Sequence, residues 1–180
     1  MEQQNTQIAV FGGGCFWCGE AVFQRLKGVH GVTSGYAGGD MENPSYQQVS
    51  SGQSGHAEVI RVEYNPSEIS YDTLLSVFFS THDPTTLNRQ GADIGEQYRS
   101  AIFYTTEEQR QETEQFIQKL AQDKTFKDPI VTGLRPLGTF YQADASHQDY
   151  YNRNKDAPYC QAVIEPKIQK LQTKYAHLLR

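Results

Sequence analysis

Apolar positions along the chain recur with two alternating periods. Residues 8–11, Ile8-Ala9-Val10-Phe11, form a short continuous apolar run, the signature of a buried strand. Across residues 15–26, Phe16, Ala21, Val22 and Leu26 fall at helical spacing and predict a helix with that side inward. Residues 29–37 are strand-like and stop at Gly38-Gly39. Residues 40–55, rich in Gly, Ser, Asn and Pro, read as a loop holding Tyr46. Residues 56–64 alternate as a strand does and are closed by Asn65-Pro66-Ser67. Leu74, Leu75, Val77, Phe78 and Phe79 predict a helix over 71–81, which His82-Asp83-Pro84 ends. A second polar loop covers 83–96 and a strand covers 98–104. A charged helix over 107–120 turns Phe116, Ile117 and Leu120 inward, and a further strand covers 129–134. Ser146-His147-Gln148-Asp149 looks like a capping-box helix start with Asp in the place of Glu or Gln, and 166–179 is a final amphipathic helix.

Through residue 105 the order is β-α-β-β-α-β, the split βαβ arrangement. The expected fold is therefore α+β: a two-layer sandwich with a ferredoxin-like core, helices on one face of a mostly antiparallel sheet, and a C-terminal helical extension. The chain reads as one domain over 1–180, its core spanning about 7–136 and its extension about 137–180. The loops at 38–55 and 83–96 are longer than connection requires, and loops of that size often carry function.

Composition narrows the classes. The chain has 180 residues, 37% of them hydrophobic, with eleven Tyr and nine Phe to fill a core. It has no apolar run long enough to span a bilayer, and its first residues lack a signal-peptide pattern, so a cytoplasmic protein without a membrane partner is expected. A net charge of −5 with scattered Lys and Arg argues against nucleic acid. Three cysteines are too few for a disulfide scaffold, which points to thiol chemistry instead.

That chemistry centres on Cys15, in Phe11-Gly12-Gly13-Gly14-Cys15-Phe16-Trp17-Cys18, where a strand passes through three glycines into a helix. A helix N-terminus presents unpaired N–H groups and the positive end of a dipole, which favour an anion. For a thiol that anion is the thiolate, so a reactive, deprotonated Cys15 is expected. The glycines permit the sharp turn, and Phe16 and Trp17 supply an apolar wall.

Glu58 shares a strand face with Ile60, Val62 and Tyr64 and points toward a protected region, where burial raises a carboxyl pKa and makes it an acid at neutral pH. Tyr46 and Tyr98 are phenols able to hydrogen-bond a developing oxyanion. Other chemistries fit less well. A C-x5-R phosphatase loop needs Arg where Ala21 stands. No GKS or GKT follows the glycines, and no second CxxC completes a zinc site from Cys15, Cys18, Cys160 and His147. A cysteine hydrolase or acyl-transferase using one of the histidines remains an alternative.

Gly14-Cys15-Phe16-Trp17 closely resembles the active-site motif of the A-type peptide methionine sulfoxide reductases. The segments Gly35-Tyr36-Ala37-Gly38-Gly39, Asn43-Pro44-Ser45-Tyr46, Gly55-His56-Ala57-Glu58, His82-Asp83-Pro84-Thr85, Gln97-Tyr98-Arg99-Ser100 and His147-Gln148-Asp149-Tyr150 resemble further family segments in the family's order, from about residue 9 to 167. The resemblance implies reduction of methionine-S-sulfoxide, free and in proteins, as a repair of oxidative damage. It casts Cys15 as nucleophile, Glu58 as acid, and Tyr46 and Tyr98 as hydrogen-bond donors to the sulfoxide oxygen. Phe16 and Trp17 would form the methyl pocket, Asp83 would position substrate, and His147 and Tyr150 would support it. It implies a sulfenic acid, then a disulfide reduced by thioredoxin, or by dithiothreitol in vitro, with no metal or bound cofactor and a monomeric enzyme. Many relatives carry Gly where this chain has Cys18, while Cys160 matches a C-terminal resolving position. Cys18 is favoured as first resolver, with Cys160 as a direct or relay alternative.

Overall fold

The structure is a computed structural model that describes residues 5–180. Its elements are β1 (Gln7–Gly13), α1 (Phe16–Phe23), β2 (Val29–Ala37), α2 (Tyr46–Ser50), β3 (Ala57–Tyr64), α3 (Tyr71–Thr81), a small hairpin of β4 (Arg89–Gln90) and β5 (Asp93–Ile94), β6 (Ser100–Tyr104), α4 (Glu107–Gln122), β7 (Gly133–Pro136), β8 (Tyr141–Gln142), α5 (Tyr150–Arg153) and α6 (Glu165–Lys174). The main sheet runs β7-β6-β1-β3-β2-β8, and every pairing is antiparallel except β6 with β7. The four strands of the split βαβ unit thus lie in the order fourth, first, third, second, as expected for a ferredoxin-like α+β core.

Alternation decides the faces. Ile60, Val62 and Tyr64 turn toward the helices and join Phe11, Phe16, Phe23, Leu26, Leu74, Leu75 and Phe78 in the larger apolar cluster. Ala57 and Val59 turn to the other face, where Val10, Ala101 and Phe103 form a smaller cluster under Leu137 and Phe140. β1 and β3 are apolar on both faces because both faces are covered.

Several boundaries differ from the sequence expectation, each for a local reason. α1 stops at Phe23, three residues before Leu26. Tyr46 begins a short helix rather than lying in loop, because Ser45 caps it: the Gln48 N–H donates to the Ser45 hydroxyl and the Gln48 side chain accepts from the Ser45 N–H. Tyr98 closes a 3-10 turn over Glu96–Tyr98 just ahead of β6. Residues 129–132 do not pair in the sheet; the Val131 N–H donates to the Pro84 carbonyl instead, and the strand starts at Gly133. His147 ends a 3-10 turn, Ala145–His147, and the helix that follows starts at Tyr150. A π-helical turn, Cys160–Ile164, leads into α6, which ends at Lys174.

Two backbone devices aim the pieces at the end of β1. Gly14 has φ +94, and a Cβ there would meet the Gln90 side chain at 2.7 Å, so the turn that delivers Cys15 needs glycine. At Gly39 a Cβ would meet the His56 backbone nitrogen at 2.5 Å. Here the Gly39 N–H donates to His56 Nδ1 and the opposite ring nitrogen donates to the Met41 carbonyl, at 3.0 and 2.7 Å. This buried imidazole ties down the loop from which α2 carries Tyr46.

Candidate active site

Cys15 occupies the N-cap position of α1 and is 9% exposed. The unpaired amides of the helix start are divided between two groups. The Phe16 N–H donates to Glu58 Oε1 at 3.1 Å, while the Trp17 N–H faces the Cys15 sulfur. Glu58 enters from β3, is 1% exposed, and lies opposite Tyr36 in the β2–β3 register. Burial pushes its pKa up to about 8; the Phe16 amide opposes the rise, and the charges of Asp93 and Cys18 add to it. The carboxyl is protonated at neutral pH, as its strand position suggested.

The sulfur departs from expectation. Burial holds the Cys15 thiol well above its ordinary pKa, and Cys18 and Glu58 raise it further, so the resting group is a thiol and not the thiolate that the helix start predicts. One amide and a helix of only two turns do not offset full desolvation. Cys18 moves the other way. A hydrogen bond from the Cys15 thiol lowers it to about 7 against the cost of burial, with help from Lys167. The Tyr159 hydroxyl stands 3.7 Å from the Cys18 sulfur and donates to Asp93 Oδ2 at 2.7 Å. The negative charge of the thiol pair therefore rests on Cys18, with Cys15 donating to it.

Around Glu58 stand Tyr46 and Tyr98. Burial raises the pKa of each phenol and the Glu58 charge adds to the shift, so both remain protonated donors. The aromatic wall is continuous. Trp17 stacks on Tyr150 with centroids 3.7 Å apart, Phe16 and Trp17 each meet His147 at 5.6 and 5.9 Å, and Tyr46 meets His147 at 4.3 Å. Three buried polar atoms of this cluster, Trp17 Nε1, Tyr36 Oη and His147 Nδ1, have no hydrogen-bond partner. The structure thus brings Cys15, Phe16, Trp17, Cys18, Tyr46, Glu58, Tyr98, His147 and Tyr150 to one place.

Asp83 does not line the cavities that hold Cys15. Its carboxylate accepts from the Thr85 N–H and hydroxyl, and it lines an open groove with Ser80, Lys127 and Lys170 that adjoins the thiol cavity at Gln90 and Lys167. The carboxylate that does face the thiols is Asp93, which shares a cavity of about 120 Å³ with Cys15, Cys18, Tyr159 and Lys167. Asp83 lies directly past the end of α3, where an aspartate closes its own turn, whereas the β4–β5 hairpin folds back to bring Asp93 over the sulfur. Asp93, Tyr36 and Tyr159 stand beside the thiols and Glu58 and were not singled out from the sequence. Only Tyr36 had a readable signal, since it lies across from Glu58 once β2 and β3 are paired. Cys160 is fully buried at the start of the π turn, close enough to Cys18 for that charge to raise its pKa beyond the effect of burial. Among the described residues no group of three or more His, Cys, Asp or Glu side chains is arranged to hold a metal ion, and no helix is long and apolar enough to cross a membrane.

The family sequence model described as peptide methionine sulfoxide reductase matches residues 7–179. The chain belongs to the peptide methionine sulfoxide reductase family. It is 54% identical over 172 residues to peptide methionine sulfoxide reductase MsrA of Deinococcus radiodurans, covering 96% of this chain and 84% of that one. Among solved members of the reductase family, the crystal structure of Mxr1 from Saccharomyces cerevisiae in reduced form superposes with TM-score 0.78 at 31% identity, covering 86% of this chain and 89% of that one. Mxr1 in complex with Trx2 superposes with TM-score 0.55 at 25% identity, covering 81% and 84%.

Proposed function

We propose that this chain is a peptide-methionine (S)-S-oxide reductase in which Cys15 takes the oxygen of methionine sulfoxide with Glu58 as the acid. The observation that carries this reading is the pairing of a buried thiol with a buried carboxyl that holds its proton at neutral pH, across the first turn of α1. A sulfoxide sulfur is a poor electrophile until its oxygen gains a proton. Glu58 supplies that proton while Tyr46 and Tyr98 hydrogen-bond the oxygen, and an ionised Glu58 would repel it. The walls formed by Phe16 and Trp17 suit an S-methyl group, exclude water and so strengthen the hydrogen bonds around the oxygen. As the Cys15 sulfur attacks, its proton passes to the Cys18 thiolate.

The balance is simple. Sulfoxide and Cys15 thiol give methionine and Cys15 sulfenic acid, so methionine sulfur is reduced and Cys15 sulfur oxidised by two electrons. The sulfenic acid condenses with a second thiol to a disulfide and water, and a dithiol then reduces the disulfide by exchange. The thiol contact between Cys15 and Cys18 favours Cys18 as the resolving group, with Cys160 next in line beneath it. Capture of a solved relative with Trx2 supports thioredoxin as the dithiol, and the cytoplasm is the compartment that suits this cycle.

Incubation of the separate S and R epimers of a methionine sulfoxide compound with dithiothreitol tests the activity. Methionine from the S epimer alone is expected; product from both epimers, or from neither, would overturn the reading. The resolving assignment has its own outcome. Cys18→Ser is expected to release one equivalent of methionine in a first turnover, then lose about tenfold or more in thioredoxin-supported rate. Cys160→Ser stays within about twofold of the parent. The reverse ranking, read by methionine release and by mapping the disulfide, would assign resolution to Cys160.

A further inference from the structure

We propose that Tyr36 is a third phenol of the oxygen site, donating a hydrogen bond to the sulfoxide oxygen that Glu58 protonates. The inference rests on the reduction proposed above. Tyr36 lies on β2 directly opposite Glu58 on β3, and side chains that face each other across an antiparallel pair project from the same face of the sheet. It is 2% exposed, and its ring packs against Phe16 with centroids 5.6 Å apart. Its hydroxyl is buried without any partner. Buried hydroxyls are nearly always hydrogen-bonded, because leaving one unpaired forfeits its interaction with water. A phenylalanine would fill the same space without that penalty, so the oxygen adds nothing to the packing.

The surroundings identify what completes it. The charged groups in reach of this phenol are Glu58, Tyr46 and Asp144, and burial raises its pKa so that it stays a donor. A donor facing a protonated acid and a second phenol, beside an apolar wall, suits a neutral ligand with one strong acceptor oxygen. A sulfoxide has such an oxygen and the sulfide product has none, so the bond forms with substrate and is lost with product.

The test uses Tyr36→Phe in two settings. In the active enzyme, Y36F is expected to lower kcat/KM for methionine-S-sulfoxide by about tenfold to a hundredfold, with a melting temperature equal to or above the parent's. In a Cys15→Ser background, which holds substrate without turnover, Y36F is expected to weaken methionine sulfoxide binding about tenfold and leave methionine binding unchanged. Equal weakening of both ligands, or unchanged sulfoxide binding, would overturn the proposal. So would failure of Y36F to fold, since the hydroxyl would then be shown to hold the structure. The parent's activity separates the two readings. A parent that reduces the S epimer while Y36F matches it removes only the Tyr36 assignment; a parent that reduces neither epimer removes both.

Discussion

Cys15→Ser is expected to bring methionine-S-sulfoxide turnover to background, a loss of more than about a thousandfold. The argument is chemical rather than structural. A serine hydroxyl is a far weaker nucleophile, and taking up the sulfoxide oxygen would leave it in a weak O–O bond in place of a sulfenic acid. No other sulfur stands in the same position, because Cys18 lies one turn along α1 and faces Tyr159. The substitution is otherwise mild. Position 15 is the N-cap of α1, where serine is among the favoured residues, and the Phe16 amide still reaches Glu58. A melting temperature at or above the parent's, together with loss of methionine release, would locate the defect in the reacting atom. Residual turnover above about a hundredth of the parent's would transfer the nucleophilic role to Cys18.

Much of this site was legible because it lies on short-range patterns. The glycine turn before Cys15 and the alternation that turns Glu58 toward the helices are both local, and both have the predicted geometry in the structure. The ferredoxin-like class followed from element order, and the four core strands lie accordingly, while β8, which adds an edge strand from the C-terminal segment, had no such signal. What escaped reading depends on groups distant in sequence. The ionisation of Cys15 was inferred from the helix start, yet it is decided first by burial, with Glu58 of a distant strand adding to the effect of neighbouring Cys18, and burial is a property of the whole fold. Asp93 sits in a polar stretch with no periodicity, and its place over the thiols comes from the fold-back of β4–β5 and from Tyr159, 66 positions away in sequence. Asp83, which the resemblance offered as a substrate-positioning residue, closes a turn on Thr85. His147 and Tyr150 reach Trp17 only because the C-terminal segment returns across α1, a long-range packing event.

Glu58→Gln is expected to lower kcat for sulfoxide reduction by about a hundredfold to ten-thousandfold with little change in KM. Gln is nearly isosteric, and its side-chain oxygen still accepts the Phe16 N–H, but it has no proton to release to the sulfoxide. The parent's pH profile carries the same information. With a folded pKa of about 8, Glu58 is protonated and competent below that value, so kcat/KM should fall as pH rises through about 8. Asp93 and Cys18, the charged groups facing it, both hold its proton more firmly as they ionise. Stability moves with pH in the same direction. The unfolded carboxyl titrates near 4.5, so the folded state binds the extra proton between that value and about 8, and the parent loses stability as pH rises across the window. At about 1.4 kcal/mol per pKa unit, the penalty above pH 8 reaches a few kcal/mol, and Gln does not incur it. E58Q should therefore be slower than the parent at every pH and more stable than it at pH 9, with a gap that closes toward pH 4.5. Melting curves and initial rates over pH 5 to 9 check both limbs. An unchanged alkaline limb in the residual activity of E58Q would assign that titration to another group and remove Glu58 as the acid.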